Sequence, residues 1–131
     1  MKRLAVGGVV AVMVAGFLMG SGQSEEPNKV RDFMRVKLSH SEKVLEGLST
    51  EDFDLIAKNA QAMSLLSQAT NWQVLQTAEY LEQSKDFRHT ADALTEAAKK
   101  KNLDGAALAY VELTMKCINC HKYVRRTRTT R

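Results

Sequence analysis

The chain has 131 residues, among them 19 lysines and arginines against 15 aspartates and glutamates, so its formal net charge is +4. This length allows one domain around one modest hydrophobic core and leaves no room for several domains of ordinary size. Only two cysteines are present, which excludes a structural zinc site with four cysteine ligands.

Residues 1–22 have the pattern of a secretory signal peptide. Lys2 and Arg3 are followed by an apolar run over 4–19 and by small residues over 20–22. The run is short and interrupted by glycine, so an uncleaved membrane anchor is the weaker interpretation. The pattern predicts export to the periplasm. Removal of the signal peptide would take away both basic residues and lower the formal net charge from +4 to +2.

The apolar pattern of residues 28–126 predicts a single domain built only from helices. Apolar residues recur three and four positions apart, and no alternating strand pattern is present. Residues 70–83 lose this period and predict a long connection that packs onto the body. The arrangement predicted is an all-α, antiparallel, up-down-up-down four-helix bundle. Its helices are expected over 28–47 with Gly47 as the stop, from a cap at Ser49 or Thr50 to 69, over 84–101, and from Asn102 or Asp104 to 126.

All four helices have an inward stripe, and those of the first and fourth helices bear on the candidate site. In the first helix the stripe consists of Val30, Met34, Leu38, Ser41, Leu45 and Leu48. In the fourth helix it consists of Leu103, Ala106, Tyr110, Leu113, Cys117, Cys120 with His121, and Val124. Both cysteines and the histidine behind them therefore fall on one inward face of the last helix.

The sequence CINCH at 117–121 has the form of a covalent haem attachment motif. Each thiol can add to one vinyl group of the haem, and the imidazole of His121 can then coordinate the iron. On a helix, Cys117 and Cys120 are three positions apart and His121 is four positions from Cys117, so all three share one face. The motif predicts one haem c per chain.

Three other interpretations of the two cysteines remain. A zinc site would need two more ligands, which His40 and His89 could supply only if folding happened to bring them close. A redox dithiol would be expected after a strand in a βαβ setting, and no such setting is predicted. The third interpretation is a chance match to the motif.

The basic tail over 127–131, together with Arg125 and Arg126, holds most of the excess positive charge. Nucleic acid is a poor partner for it, because export removes the chain from nucleic acid and no aromatic residues are interleaved. The tail is predicted to be a solvated helix end. Docking to an acidic redox partner protein is the alternative.

The chain resembles the class II c-type cytochromes, the cytochrome c′ family, over essentially all of residues 30–126. The resemblance is carried by CINCHKYVR at 117–125, by KNLDGAALAYVELT at 101–114 and by KNAQAM at 58–63. It implies that His121 is the proximal iron ligand, that Arg125 lies beside the haem, and that the protein forms a homodimer. The family usually has an aromatic residue just before that basic position, where this chain has Val124.

Met34 is the candidate for the sixth iron ligand. In an antiparallel bundle the end of the fourth helix lies level with the start of the first, so His121 and Met34 lie at matching heights to within a turn. The alternative is that Met34 only fills core space. Met63 is a weaker candidate, His40 and His89 are predicted to be solvated, and Lys37 is predicted to be exposed.

Two functions follow from these two possibilities. With Met34 bound, the protein is an electron carrier that serves a redox partner protein. Without a distal ligand, it binds nitric oxide or carbon monoxide at an open iron, as the high-spin members of the family do. A subunit of a larger redox complex is a third interpretation. No acid–base pair or triad lies on the stripes, so an enzyme is not predicted.

Overall fold

The computed structural model describes residues 25–69 and 74–129, and their regular structure is entirely helical. The helices are α1 (Glu25–Thr50), α2 (Phe53–Leu66), α3 (Ala78–Lys99) and α4 (Leu103–Thr129). The prediction of an all-α chain with four helices is confirmed, and the described ranges, which contain no strand, are consistent with a four-helix bundle. The predicted signal peptide over 1–22 lies outside the described residues.

The hydrophobic core lies where α1 packs on α2, α2 on α3 and α3 on α4, whereas α1 and α4 contact each other much less. The buried side chains have the three-and-four spacing that the sequence shows, so removal of their apolar surface from water accounts for the packing. They are Val44, Ile56, Ala60, Met63, Tyr80, Phe87, Ala91, Leu94, Ala98, Ala106 and Leu113. The weak contact between α1 and α4 leaves room for a pocket between them.

The cap of α2 differs from the prediction. Asp52 is the N-cap, and its side chain accepts a hydrogen bond of 2.9 Å from the backbone N–H of Leu55. The predicted caps, Ser49 and Thr50, instead belong to the last turn of α1, where their hydroxyls donate to backbone carbonyls four residues earlier. The turn between the helices is therefore only two residues long, and Glu51 takes a positive φ of 55° in it.

Gly47 does not end α1, as predicted, but lies inside it at a close approach to α2. A Cβ atom at this position would lie 2.8 Å from Cγ1 of Ile56 and 3.0 Å from the carbonyl oxygen of Asp52. Gly47 also closes the turn, because its carbonyl oxygen accepts a hydrogen bond of 2.9 Å from the N–H of Asp52. Glycine is needed here for its small size and not as a helix terminator.

The third helix begins at Ala78, six residues before the predicted start at Ser84. Thr77 caps it by accepting a 3.3 Å hydrogen bond from the N–H of Tyr80. The hydroxyl of Thr77 also pairs with that of Tyr123 on α4 over 2.6 Å. Six of the fourteen residues of the predicted connection over 70–83 are thus helix, because Tyr80 is buried in the core two turns before the buried Phe87.

The fourth helix begins as predicted after Asn102, whose side-chain oxygen accepts a 2.9 Å hydrogen bond from the N–H of Gly105. It extends to Thr129, so the described part of the predicted tail over 127–131 is helical. None of the described helices is long and apolar enough to cross a membrane.

Candidate functional site

A pocket of about 680 Å³ lies between α1 and α4, with α2 and α3 behind it. This volume is within the range of roughly 300–1,000 Å³ that cofactor and ligand sites occupy. All five residues that the sequence analysis selected as site residues line it: Met34, Cys117, Cys120, His121 and Arg125. Residues that are far apart in the sequence therefore meet in one cavity.

The two thiols lie one helical turn apart on the pocket-facing side of α4. Both cysteines are half-buried and neither forms a disulfide. Burial raises the pKa of each thiol, and the nearby Lys37 ammonium opposes this only in part. A redox-active dithiol requires a lowered thiol pKa, so the pocket is unlike that of a thiol oxidoreductase.

His121 lines the same pocket and is exposed to solvent on one side. Loss of water on its pocket side lowers the pKa of the imidazole, and the positive charges of Lys37 and Arg125 lower it further. The neutral imidazole is the form that coordinates a metal ion. The position and the electrostatics of His121 both suit a metal ligand.

Two methionines line the pocket, and they differ in burial. Met63 is 1% exposed and belongs to the core, whereas Met34 is half-buried and packs against the edge of that core. A third methionine, Met115, is 47% exposed on α4 and does not line the pocket. Met34 is therefore the thioether with the most room to turn toward a bound group.

Lys37 was predicted to be exposed, and this prediction is wrong. It is 8% exposed, and its Nζ lies 3.8 Å from the centre of the Phe87 ring, a cation–π contact. Burial lowers its pKa to about 8. The sequence held a signal for this placement, because Lys37 follows Met34 by three positions and so shares its helical face.

The two remaining histidines lie outside the pocket. His40 was predicted to be solvated, but it is half-buried and its Nδ1 pairs with Oδ1 of Asn59 on α2 over 2.9 Å. His89 is exposed, as predicted. Within residues 25–69 and 74–129, no group of three or more His, Cys, Asp and Glu side chains is placed to hold a metal ion.

Leu38 and Leu45 were predicted to face the core, but they are 58% and 53% exposed. Leu38 lines the rim of the pocket. Lys37 and Val44, each one position before these leucines, are buried instead. Leu38 lies on the side where α1 and α4 scarcely touch.

Deeper contacts between α1 and α4 come from Ser41 and Tyr110, which both line the pocket. The two hydroxyls lie 3.1 Å apart, and the Tyr110 hydroxyl also lies within hydrogen-bonding distance, 3.2 Å, of the Ser41 carbonyl oxygen. This pair joins the two walls of the pocket. The sequence placed both residues on inward stripes but did not pair them.

The donor set of the pocket fits a covalently bound haem. Two thiols stand on one helical face beside an imidazole, a thioether is on the facing helix, and a guanidinium lies one turn beyond the imidazole. Aromatic and aliphatic side chains, including Tyr80, Phe87 and Val124, supply an apolar lining for a flat macrocycle.

Comparison with protein-family models, curated proteins and solved structures finds no match to this chain.

Proposed function

We propose that the chain is an exported class II c-type cytochrome that carries electrons, with one covalently attached haem and His121 as the proximal iron ligand. The observation that carries the proposal is the single pocket lined by Cys117, Cys120, His121, Met34 and Arg125. Four of these residues share one face of α4 by their spacing, so the informative observation is that this face and Met34 of α1 line the same cavity, which has the size of a cofactor site.

The attachment chemistry uses only the groups of the site. Each thiol S–H adds across the C=C bond of one vinyl group, so that a C–S bond forms and the thiol proton passes to the other vinyl carbon. No external oxidant or reductant is needed for this addition. The haem, when bound, supplies a redox-active iron. Cys117 and Cys120 would hold the haem covalently, and His121 would supply a neutral imidazole to its iron.

The antiparallel order of the helices is part of this proposal. It places the motif near the end of α4 beside the N-terminal half of α1, so that Met34 faces the position that His121 would bind. A thioether from Met34 together with His121 would raise the reduction potential relative to two histidines. Ligands from the protein on both sides would also limit rearrangement of the site on electron transfer, which suits a carrier.

Arg125 is proposed to pair with a haem propionate. It follows His121 by four positions and lines the pocket, so its planar guanidinium can offer two donors to one carboxylate. Arg125→Gln should lower the reduction potential more than Arg126→Gln, because Arg126 does not line the pocket. Equal shifts in the two variants would rule this pairing out.

Binding of nitric oxide or carbon monoxide is the second candidate function. It is favoured by the contact of Met34 with the core, since a methionine held in core packing leaves the sixth position open. The apolar rim formed by Val30 and Leu38 would then face the iron. Electron transfer to a redox partner protein remains the first candidate.

Acid–acetone extraction and haem staining of a denaturing gel test the proposal. Purified protein should keep its haem through acid–acetone extraction and stain for haem peroxidase activity on a denaturing gel. Cys117→Ala/Cys120→Ala should lose the haem under the same treatment, whereas Ser41→Ala should keep it. A native protein that releases all its haem, or that contains stoichiometric zinc, would contradict the proposal.

A further inference from the structure

Lys37 is a buried cation of the pocket that takes no part in the attachment or the coordination proposed above. It is 8% exposed, and its Nζ lies 3.8 Å from the centre of the Phe87 ring. Lysine is among the residues that proteins bury least often, because an ammonium that leaves water loses its hydration. A lysine that folding encloses in a cavity of cofactor size is therefore a candidate for a role beyond packing.

The ammonium of Lys37 lies within electrostatic range of the whole CINCH motif. Burial raises the pKa of the Cys117 and Cys120 thiols, and the positive charge of Lys37 opposes this rise in both. Burial lowers the pKa of the His121 imidazole, and the same charge lowers it further. One cation on α1 thus acts on all three groups that would hold the haem and coordinate its iron.

The lining of the pocket carries charge of one sign. Among the described residues that line it, none is an aspartate or a glutamate, and six are lysines or arginines: Arg31, Arg35, Lys37, Lys116, Arg125 and Arg128. The four arginines are exposed, so water and salt screen their charges. Lys116 lies 3.2 Å from a carboxylate oxygen of Asp86, which offsets its charge. Lys37 is therefore the cation that solvent screens least.

Given the haem of the proposed function, on which this inference rests, we infer that Lys37 raises its reduction potential by holding a positive charge inside the pocket. Oxidation of a haem adds one positive charge to it, and a fixed cation nearby makes that step less favourable. The charge of Lys37 therefore favours the reduced form. Its effect adds to that of a thioether ligand from Met34.

The effect should be large enough to measure. Two unit charges roughly 10 Å apart at an effective dielectric constant of about 20 interact strongly enough to change an equilibrium constant by about tenfold. For a one-electron step, a tenfold change corresponds to about 59 mV. A buried charge is screened less than an exposed one, so Lys37 should outweigh each arginine at the mouth of the pocket.

Spectroelectrochemical titration of the full chain at pH 7 tests the inference. Lys37→Leu should lower the reduction potential by about 59 mV or more, a tenfold change in the ratio of reduced to oxidised protein. Leucine is chosen because a methionine at this position could itself bind iron. Lys37→Arg should recover most of the native potential, since it restores the charge. An unchanged potential in Lys37→Leu, or an equal fall in Lys37→Arg, would overturn the inference.

Arg35→Leu is the matched control. It removes the same charge from the same helix and the same pocket, but at an exposed position. The potential should fall less than in Lys37→Leu, because solvent screens the guanidinium. An equal fall in the two variants would assign the effect to the overall charge of the pocket and overturn the role of Lys37.

Haem staining and optical spectra separate failure of this inference from failure of the proposed function. A native chain without covalent haem would end both. If every variant keeps its haem and the potentials coincide, the cytochrome proposal stands and only the role of Lys37 is overturned. The spectra of Lys37→Leu in both oxidation states should match those of the native protein, because the axial ligands stay in place. A changed spectrum would mean that Lys37 is itself a ligand, which would also overturn the inference.

Discussion

Met34 decides between the two candidate functions because it is the pocket-lining methionine that is not fully in the core. Met63 also lines the pocket but is 1% exposed, so it would have to leave close packing in order to reach a ligand. Met34 is half-buried on α1 and can turn at lower cost, since methionine has three rotatable bonds.

We expect Met34→Ala to convert the protein from a carrier to a gas binder. The oxidised native protein should show the weak far-red charge-transfer band of a methionine–iron bond, and the variant should lose it and bind carbon monoxide quickly. The truncation should lower the free energy of unfolding by no more than the roughly 2–5 kcal/mol of a fully buried methionine, since Met34 is only half-buried. Met115→Ala is the control. A native ferrous protein that is already high-spin and binds carbon monoxide rapidly would make gas binding the leading function.

Lys37 is a charged group that folding has placed in a nearly dry position. Its ammonium lies over the Phe87 ring, and burial lowers its pKa from 10.5 to about 8. The folded chain therefore releases this proton at a lower pH than the unfolded chain does. Between pH 8 and 10.5 the unfolded chain binds more protons, so the free energy of unfolding must rise with pH in that window.

Lys37→Met should remove this rise. The comparison is best made in Cys117→Ala/Cys120→Ala, where neither a thiol nor a haem titrates nearby. At pH 7 we expect Lys37→Met to raise the free energy of unfolding by up to roughly 3 kcal/mol, with the gain shrinking to little by pH 10.5. Urea denaturation across that range measures it. Lys58→Met, at an exposed position on α2, is the control and should leave the rise of the unfolding free energy with pH intact. If the rise survives Lys37→Met, a group other than Lys37 causes it.

Helix ends are the elements that the sequence pattern placed least well. The sequence predicted Ser49 or Thr50 as the cap of α2. The structure uses Asp52 instead, because α1 continues through Thr50 and the two hydroxyls are used within its last turn. Packing of α1 against α2 extends α1 beyond the point at which the pattern suggested a stop at Gly47.

Asp52→Ala should lower the free energy of unfolding by about 1 kcal/mol, because it leaves the N–H of Leu55 without its acceptor. Ser49→Ala should change it by no more than a few tenths, since the Ser49 hydroxyl is exposed and bonds only within α1. Thermal unfolding followed by circular dichroism compares the two. Equal costs would contradict the assignment of the cap.

The body of the protein is asymmetric, with three well-packed helix pairs and one open side. The core follows the contacts of α1 with α2, α2 with α3 and α3 with α4, and the pocket occupies the side where α1 and α4 separate. The hydrogen bonds between Ser41 and Tyr110 are the polar link across that side.

Tyr110→Phe should therefore lower the free energy of unfolding by about 1 kcal/mol. It should speed amide hydrogen exchange in α1 more than in α2 or α3, since α1 loses a link to α4. Tyr123→Phe is the control: it removes a hydroxyl bonded to Thr77 at an exposed site, so the exchange of α1 should not change. Exchange that rises equally in all helices would mean that Tyr110 does not join the pocket walls specifically.

The sequence by itself determined the helical class of the chain, the number of helices, the start of α4 at Asn102 or Asp104, and the residues of the candidate site. These features depend on local chemistry: the spacing of apolar residues, the side-chain oxygens available at the start of α4, and the one-turn spacing of Cys117, Cys120 and His121. Each can be recognised without knowing what packs against it.

Only the tertiary structure decided the burial of Lys37, the exposure of Leu38 and Leu45, the early start of α3 and the role of Gly47. The reason is that apolar periodicity shows which face of a helix can be buried, but not where the neighbouring helices cover that face. Because α1 and α4 separate around the pocket, Leu38 lies at its rim, whereas Val44 further along α1 is fully buried. Lys37 is enclosed because Phe87, fifty residues further along the chain, lies beneath it.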